Sequence, residues 1–153
     1  MTPRPPYLDK FYPEVYRGLN KVTRQLREIY PDVDLPLSLI ELVSVRVSQI
    51  NGCAACLSIH VPAALRAGVE EIQLNVLPSW REAEVFDERE RAALDLAETL
   101  TLLPSDRPRT DPAVAACQIF AEEQVAALEW AIIMINTYNR ISIASGHPVT
   151  RRS

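Results

Sequence analysis

Between Pro13 and Gly146 the apolar residues return at every third or fourth position, and the chain's prolines and few glycines fall mostly in the gaps. That pattern admits helices and little else, because a half-buried strand needs alternation with period two, and no segment alternates convincingly. A first helix is expected from Pro13 to about Tyr30, with Val15, Leu19, Val22, Leu26 and Ile29 on one face. Pro31 to Pro36 reads as a connector. Pro36 to Ile50 reads as a second helix, with Ile40, Val43, Val47 and Ile50 as its main core stripe. Asn51-Gly52 then breaks the chain. A third helix starts near Cys53 and ends at Gly68, a natural C′ residue, and Pro62 should kink it just beyond His60. A short helix follows from Val69 to about Leu77. Another runs from Asp87 to about Leu102, with Asp87 as N-cap and Glu90 completing a capping box. Thr110 to Phe120 makes a short helix, and Ala121 to about Ser145 a long one closing at Gly146. The expected fold class is all-α, with about six to seven helices.

The bulk numbers fit one domain with its own core: 153 residues, 48% of them hydrophobic and 24% charged. A net charge of −4, with no Lys/Arg cluster beyond Arg151-Arg152, argues against a nucleic-acid partner. The first residues, Met1-Thr-Pro-Arg-Pro-Pro6, lack the apolar stretch of a signal peptide. The longest apolar run, Trp130 to Ile135, is far too short to cross a bilayer. Three cysteines, two of them in a CxxC pair, do not make a secreted disulfide framework. The expectation is a cytoplasmic protein with no membrane partner.

The chemistry is concentrated in Asn51-Gly-Cys-Ala-Ala-Cys-Leu-Ser-Ile-His60, preceded by a lone acid, Glu41, in an apolar segment. CxxC spacing lets two sulfurs meet with little backbone movement, and His60 follows Cys56 by one helical turn on the same face. The thiolate is the reactive form of cysteine. Cys53 falls in the first turn of its helix, where free N–H groups and the helix dipole favour an anion. Cys56 has the His60 imidazole at i+4 to take its proton or hold its thiolate. Glu41 has Leu37, Ser44, Val45 and Ser48 around it, so its carboxylate should be half-buried, which suits a general base. Twelve residues of helix separate it from Cys53, about 16–18 Å, so His60 is the expected bridge between them. The set can also be read as zinc ligands, Cys53, Cys56 and His60 with Glu41 as a fourth. A third reading is a helical assembly whose CxxC senses redox state without turnover.

Other residues carry weaker signals. Cys117 has no partner in its own segment and reads as a core residue, while His147, beside Pro148, reads as exposed. Asn136, Asn139 and Arg140 lie in the apolar stretch Ile132 to Ile143, and they either tie helices or subunits together or meet a substrate. Trp80 and Tyr138 could line a pocket, or be core.

Taken together, Glu41-x11-Cys53-x2-Cys56-x3-His60 resembles the core motif of the AhpD-like alkylhydroperoxidases of the carboxymuconolactone decarboxylase superfamily. Ala64-Leu-Arg-Ala-Gly68-Val-Glu-Glu-Ile looks like that family's helix end and following turn. Phe86-Asp-Glu-Arg-Glu-Arg-Ala-Ala-Leu is similar to its next helix start, and Ile135-Asn-Thr-Tyr-Asn-Arg140-Ile to its Asn-x-x-Asn-Arg segment. The resemblance covers Pro36 to about Ala144. It implies a single all-helical domain over 1–153, with residues 1–35 as arm and first helix and 36–146 as the CxxC core.

It further implies a homo-oligomer, trimer or hexamer, with its site near a subunit interface. The implied activity is thiol-dependent reduction of an organic hydroperoxide or hydrogen peroxide, with electrons from a thiol reductant protein or carrier and no cofactor or metal. Cys56 would be the peroxidatic sulfur, Cys53 the resolving one, and Glu41 with His60 the proton relay, although helix-dipole reasoning alone favours Cys53 as the more acidic thiol. Two positions depart from the pattern. Ala55 stands where the best-known peroxidases of the family carry a second His, and Pro62 follows close on His60. The decarboxylase branch does not rely on a CxxC, so lactone decarboxylation is the less expected arm.

Overall fold

The second long helix of the chain is apolar nearly all the way round, and a helix of that kind must lie in the middle of its fold. In the computed structural model, which describes residues 3–151, it spans Leu37–Asn51 and every residue from Leu39 to Val45 is buried. Eight α-helices are present among the described residues. They are α1 (Leu8–Phe11), α2 (Pro13–Asp32), α3 (Leu37–Asn51), α4 (Ala54–Ala67), α5 (Glu71–Val76), α6 (Glu88–Leu102), α7 (Asp111–Ala116) and α8 (Glu122–Ser145). A single 3₁₀ turn, Leu77–Ser79, follows α5. The all-α expectation holds, with α1 added before the seven helices expected from the sequence.

Two apolar clusters form on opposite sides of α3. On one side Ile40, Val43 and Val47 meet Leu26 of α2, Leu96 of α6, and Leu128 and Ile132 of α8. On the other, Leu42 and Val45 meet Ala64, Leu77, Trp80, Phe86 and Leu94. Each fully buried aliphatic side chain contributes roughly 1.5–3 kcal/mol of transfer free energy. The predicted stripe of α3 is therefore one of two; Ile50, at its end, is only half-buried.

Helix ends follow their caps. Asp87 accepts from Glu90 N–H at 2.8 Å, and the Glu90 carboxylate accepts from Asp87 N–H at 2.9 Å, completing the expected box. Gly52 closes α3 at φ +67°, in the left-handed region. Gly52 N–H donates to the Gln49 carbonyl and Cys53 N–H to that of Ser48, a Schellman arrangement that turns the chain sharply into α4. That turn delivers Cys53 to the N-cap of α4, just outside the first turn where it was expected. α4 then continues through Pro62 to Ala67.

Four expectations need correction here. α2 extends through Pro31 to Asp32, because Val33 N–H and Leu35 N–H bond back to the carbonyls of Ile29 and Tyr30 and close the end beyond the proline. Its buried face is also turned from the expected one. Leu26 and Tyr30 are buried and Leu19 and Val22 partly so, whereas Val15 and Ile29 are exposed. Cys117 is exposed rather than core. α7 stops at Ala116, which takes the buried position, and the chain turns away at Cys117.

His147 is not the free tail residue expected. Its ring is held 3.2 Å from Asp9 and 3.3 Å from Ser142, with Tyr7 edge-on at 5.0 Å. Together with the bond from Leu8 N–H to Ser145 Oγ, this fastens the N-terminal arm to the end of α8.

Candidate active site

α3 and α4 form the most closely packed pair of neighbouring helices, and their antiparallel return places the motif's acid beside its imidazole. Glu41 is 5% exposed, more deeply buried than the half-buried state expected from its neighbours. Its Oε2 lies 2.7 Å from His60 Nδ1. An ionised carboxylate can only accept, so Nδ1 then carries the proton and Nε2 is the acceptor of the neutral ring. Ser44, one turn along, directs its hydroxyl to the Ile40 carbonyl at 2.8 Å and does not compete for Glu41.

Cys53 and Cys56 are joined as a disulfide, with their Cα atoms 5.3 Å apart. Cys53 is 1% exposed, and its sulfur accepts from Cys56 N–H at the start of α4. Cys56 reaches a cavity of about 280 Å³ that Glu41, Ser44, Ile59 and His60 also line. Cys53 is not among the residues that line it. The walls come from α2 (Tyr16, Asn20, Thr23, Leu26, Arg27, Tyr30) and from α8 (Ala131, Met134, Ile135, Tyr138, Ser142). They are mainly hydrocarbon. All four motif residues thus meet in one place: a sulfur at an apolar cavity, a second sulfur behind it, and a hydrogen-bonded acid–imidazole pair alongside. Among the described residues, no group of three or more His, Cys, Asp and Glu side chains converges in a way that could hold a metal ion.

Sequence reasoning missed the whole contribution of α2. Tyr16, Asn20, Thr23, Arg27 and Tyr30 recur at alternating steps of four and three, a regular stripe along one face. Asn20 and Thr23 turn inward because they find a partner in Tyr138. The Tyr138 hydroxyl lies 2.9 Å from Thr23 Oγ1 and donates to Asn20 Oδ1 at 2.9 Å, while the Tyr16 ring stands edge-on to Tyr138. Of the two aromatics considered for a pocket, Tyr138 lines this cavity. Trp80 does not: it is buried in the opposite cluster and donates Nε1–H to Glu98 at 2.9 Å.

The Asn-x-x-Asn-Arg cluster ties helices together. Asn139, fully buried, donates to Ser48 Oγ at 3.1 Å, and Asn51 Nδ2 bridges Asn136 and Asn139 at 2.9 and 3.0 Å. Asn136 reaches on to Thr101 of α6 at 3.0 Å. Arg140 is exposed and, among the described residues, bonds only to Asn136 one turn back. The knot fixes the end of α3 immediately before the Gly52 turn, and so sets where the cysteines begin.

Helices around a Cys-x-x-Cys turn, with an acid and a histidine on adjoining helices, define an AhpD-like class of helical protein. Residues 13–99 match the carboxymuconolactone decarboxylase family, and the chain belongs to that family. It is 40% identical over 107 residues to the uncharacterized protein YdfG of Bacillus subtilis, covering 70% of this chain and 73% of that one. It is 26% identical over 137 residues to the uncharacterized protein Rv2313c of Mycobacterium tuberculosis, covering 90% of this chain but only 45% of the mycobacterial one. Among solved structures, ATU0492 of Agrobacterium tumefaciens is similar at a TM-score of 0.85 and 26% identity, covering 98% of this chain and 100% of that one. Its function is described as unknown, with a proposed assignment as the antioxidant defence protein AhpD.

Proposed function

We propose that this chain is a thiol-dependent peroxidase that reduces hydroperoxides through Cys53 and Cys56. The observation that carries the reading is that Cys56 opens onto an apolar cavity beside the Glu41–His60 pair, with Cys53 buried within bonding reach behind it. The antioxidant assignment proposed for ATU0492 supports it.

In the reduced enzyme His60 takes the Cys56 proton, and Glu41 stabilises the positive ring that results. The Cys56 thiolate attacks the terminal oxygen of ROOH. The O–O bond breaks, an S–O bond forms, and the leaving alkoxide takes the proton from His60 as ROH. The Cys53 thiol then attacks the sulfenic sulfur, forming the disulfide and releasing water. Two thiols and ROOH become one disulfide, ROH and H₂O, and two electrons have passed from sulfur to oxygen. A dithiol protein or carrier returns them by exchange. In an oligomer of three or six copies, the exposed Trp130, Ile133 and Ile143 of α8 offer apolar surface for packing.

Turnover of cumene hydroperoxide with a dithiol donor tests this. Cys53→Ser and Cys56→Ser should each abolish it, and His60→Ala should only slow it. Full activity in either serine variant sinks the proposal. Stoichiometric zinc on the reduced protein, without turnover, would favour a metal-binding helical oligomer instead, and neither zinc nor turnover would favour a redox sensor.

A further inference from the structure

Among the polar groups on the cavity wall that take no part in the relay or in the packing bonds, one belongs to a buried residue. Tyr30, near the end of α2, is 6% exposed and lines the same cavity as Cys56, Glu41 and His60. No hydrogen bond to its hydroxyl is formed among the described residues, in contrast to Tyr138 on the facing wall. Nor does any fully enclosed side-chain oxygen or nitrogen lack a partner among them, so the Tyr30 hydroxyl meets open space. Tyr30 stands between this cavity and a shallower hollow formed with Pro31, Asp34, Leu35 and Pro36. Burial, opposed by Arg27 and aided by the Glu41 carboxylate, pushes its phenol up to about 12, which keeps its proton in place throughout the physiological range. Of the two hollows, the first also holds Cys56, Glu41 and His60, and the second holds none of them.

We propose that Tyr30 is a catalytic hydrogen-bond donor, its O–H directed at the hydroperoxide oxygen that departs as alkoxide when Cys56 attacks the other. The assignment rests on the peroxidase reading and adds to it. O–O cleavage places negative charge on the departing oxygen at the moment the S–O bond forms. A fixed donor aimed there is worth more in the transition state than in the ground state. The proton that neutralises the alkoxide still comes from His60; Tyr30 keeps its own. Breakage and formation of bonds are otherwise as described above.

Tyr30→Phe removes one oxygen and keeps the ring that packs on Leu26 and Ile40. Two rates are measured on fully reduced protein: disulfide formation with cumene hydroperoxide, and alkylation of Cys56 by iodoacetamide. Alkylation needs the same thiolate but expels iodide, which gains little from a donor. The expected result is a fall of about 10- to 100-fold in the peroxide rate, as for loss of a hydrogen bond to a charged group, with alkylation unchanged. An unchanged peroxide rate overturns the assignment. So does an equal fall in both rates, which would mark Tyr30 as packing that merely holds Cys56 in place. If wild-type protein forms no disulfide with the peroxide, the peroxidase reading fails and takes this one with it. If wild type reacts and Tyr30→Phe reacts equally fast, only the role of Tyr30 is lost.

Discussion

Replacing Asn139 by Ala should cost more stability than any other single change in the Asn-x-x-Asn-Arg segment. Asn139 is fully buried, donates to Ser48 at 3.1 Å and accepts from Asn51 at 3.0 Å. Two hydrogen bonds contribute about 1 kcal/mol each. Ser48, itself fully buried, loses the donor that meets its hydroxyl, a further cost of about 1–2 kcal/mol. Asn51 keeps its bond to Asn136 at 2.9 Å and adds little. The small void left behind brings the total to about 3–5 kcal/mol. For a chain of this size that lowers Tm by roughly 6–20 °C. Urea unfolding followed by far-ultraviolet circular dichroism should give an unchanged slope and a lower midpoint. Arg140→Ala is the internal control. Its side chain is exposed and, among the described residues, bonds only within its own helix, so its cost should stay below about 0.5 kcal/mol. A loss under about 1 kcal/mol for Asn139→Ala, or equal losses for the two variants, would refute the view that this knot holds α3 to α8.

Acid sensitivity should trace to Glu98. Burial pushes its carboxyl up, but bonds from Trp80, Arg46 and Arg81 outweigh that and hold it below the ordinary 4.5. A carboxyl lower in the folded than in the unfolded chain stabilises above the unfolded value, and that stabilisation is lost as pH falls through the folded one. Wild type should therefore exceed Glu98→Gln by about 2 kcal/mol near pH 7, with the gap closing below pH 4.5. A gap that is constant with pH would contradict this. Glu41→Gln leaves His60 without its carboxylate and should slow Cys56 oxidation about tenfold while leaving the helical circular dichroism signal intact. An unaltered rate would remove Glu41 from the relay. Asp87→Ala deletes the α6 cap and should cost about 1 kcal/mol in urea unfolding; no measurable loss would show that the box contributes nothing.

The parts of this fold that could be read from sequence are those set by local rules. Asp87 with Glu90, Gly52, Gly68 and Gly146 each mark a helix end by capping chemistry or by a left-handed backbone, and neither depends on distant residues. The CxxC pair was legible for the same reason, since its geometry lies within one turn. Glu41 and His60 were joinable because two consecutive helices with a tight turn between them pack antiparallel.

Tertiary partners decided what remained hidden. The face of α2 was misjudged because Asn20, Thr23 and Tyr16 look solvent-seeking until Tyr138, over a hundred residues later, meets them. Tyr30 was invisible as a site residue because only the tertiary fold, in which α2 packs on α8, sets it on the cavity that Glu41 lines. Cys117 was placed in the core because it has no partner in its apolar segment, yet a helix one turn shorter than that pattern left it outside. His147 is held by Asp9, at the other end of the chain, as well as by the nearby Ser142, and nothing in the sequence signals the distant partner.

The most direct test of the proposed chemistry is intact mass and peptide mapping of the reduced protein before and after one equivalent of cumene hydroperoxide. The account predicts rapid loss of two hydrogens, mapped to a Cys53–Cys56 disulfide, with Cys117 still a free thiol. Thiols that stay reduced, or oxidation that maps to Cys117 while the pair is untouched, would contradict it.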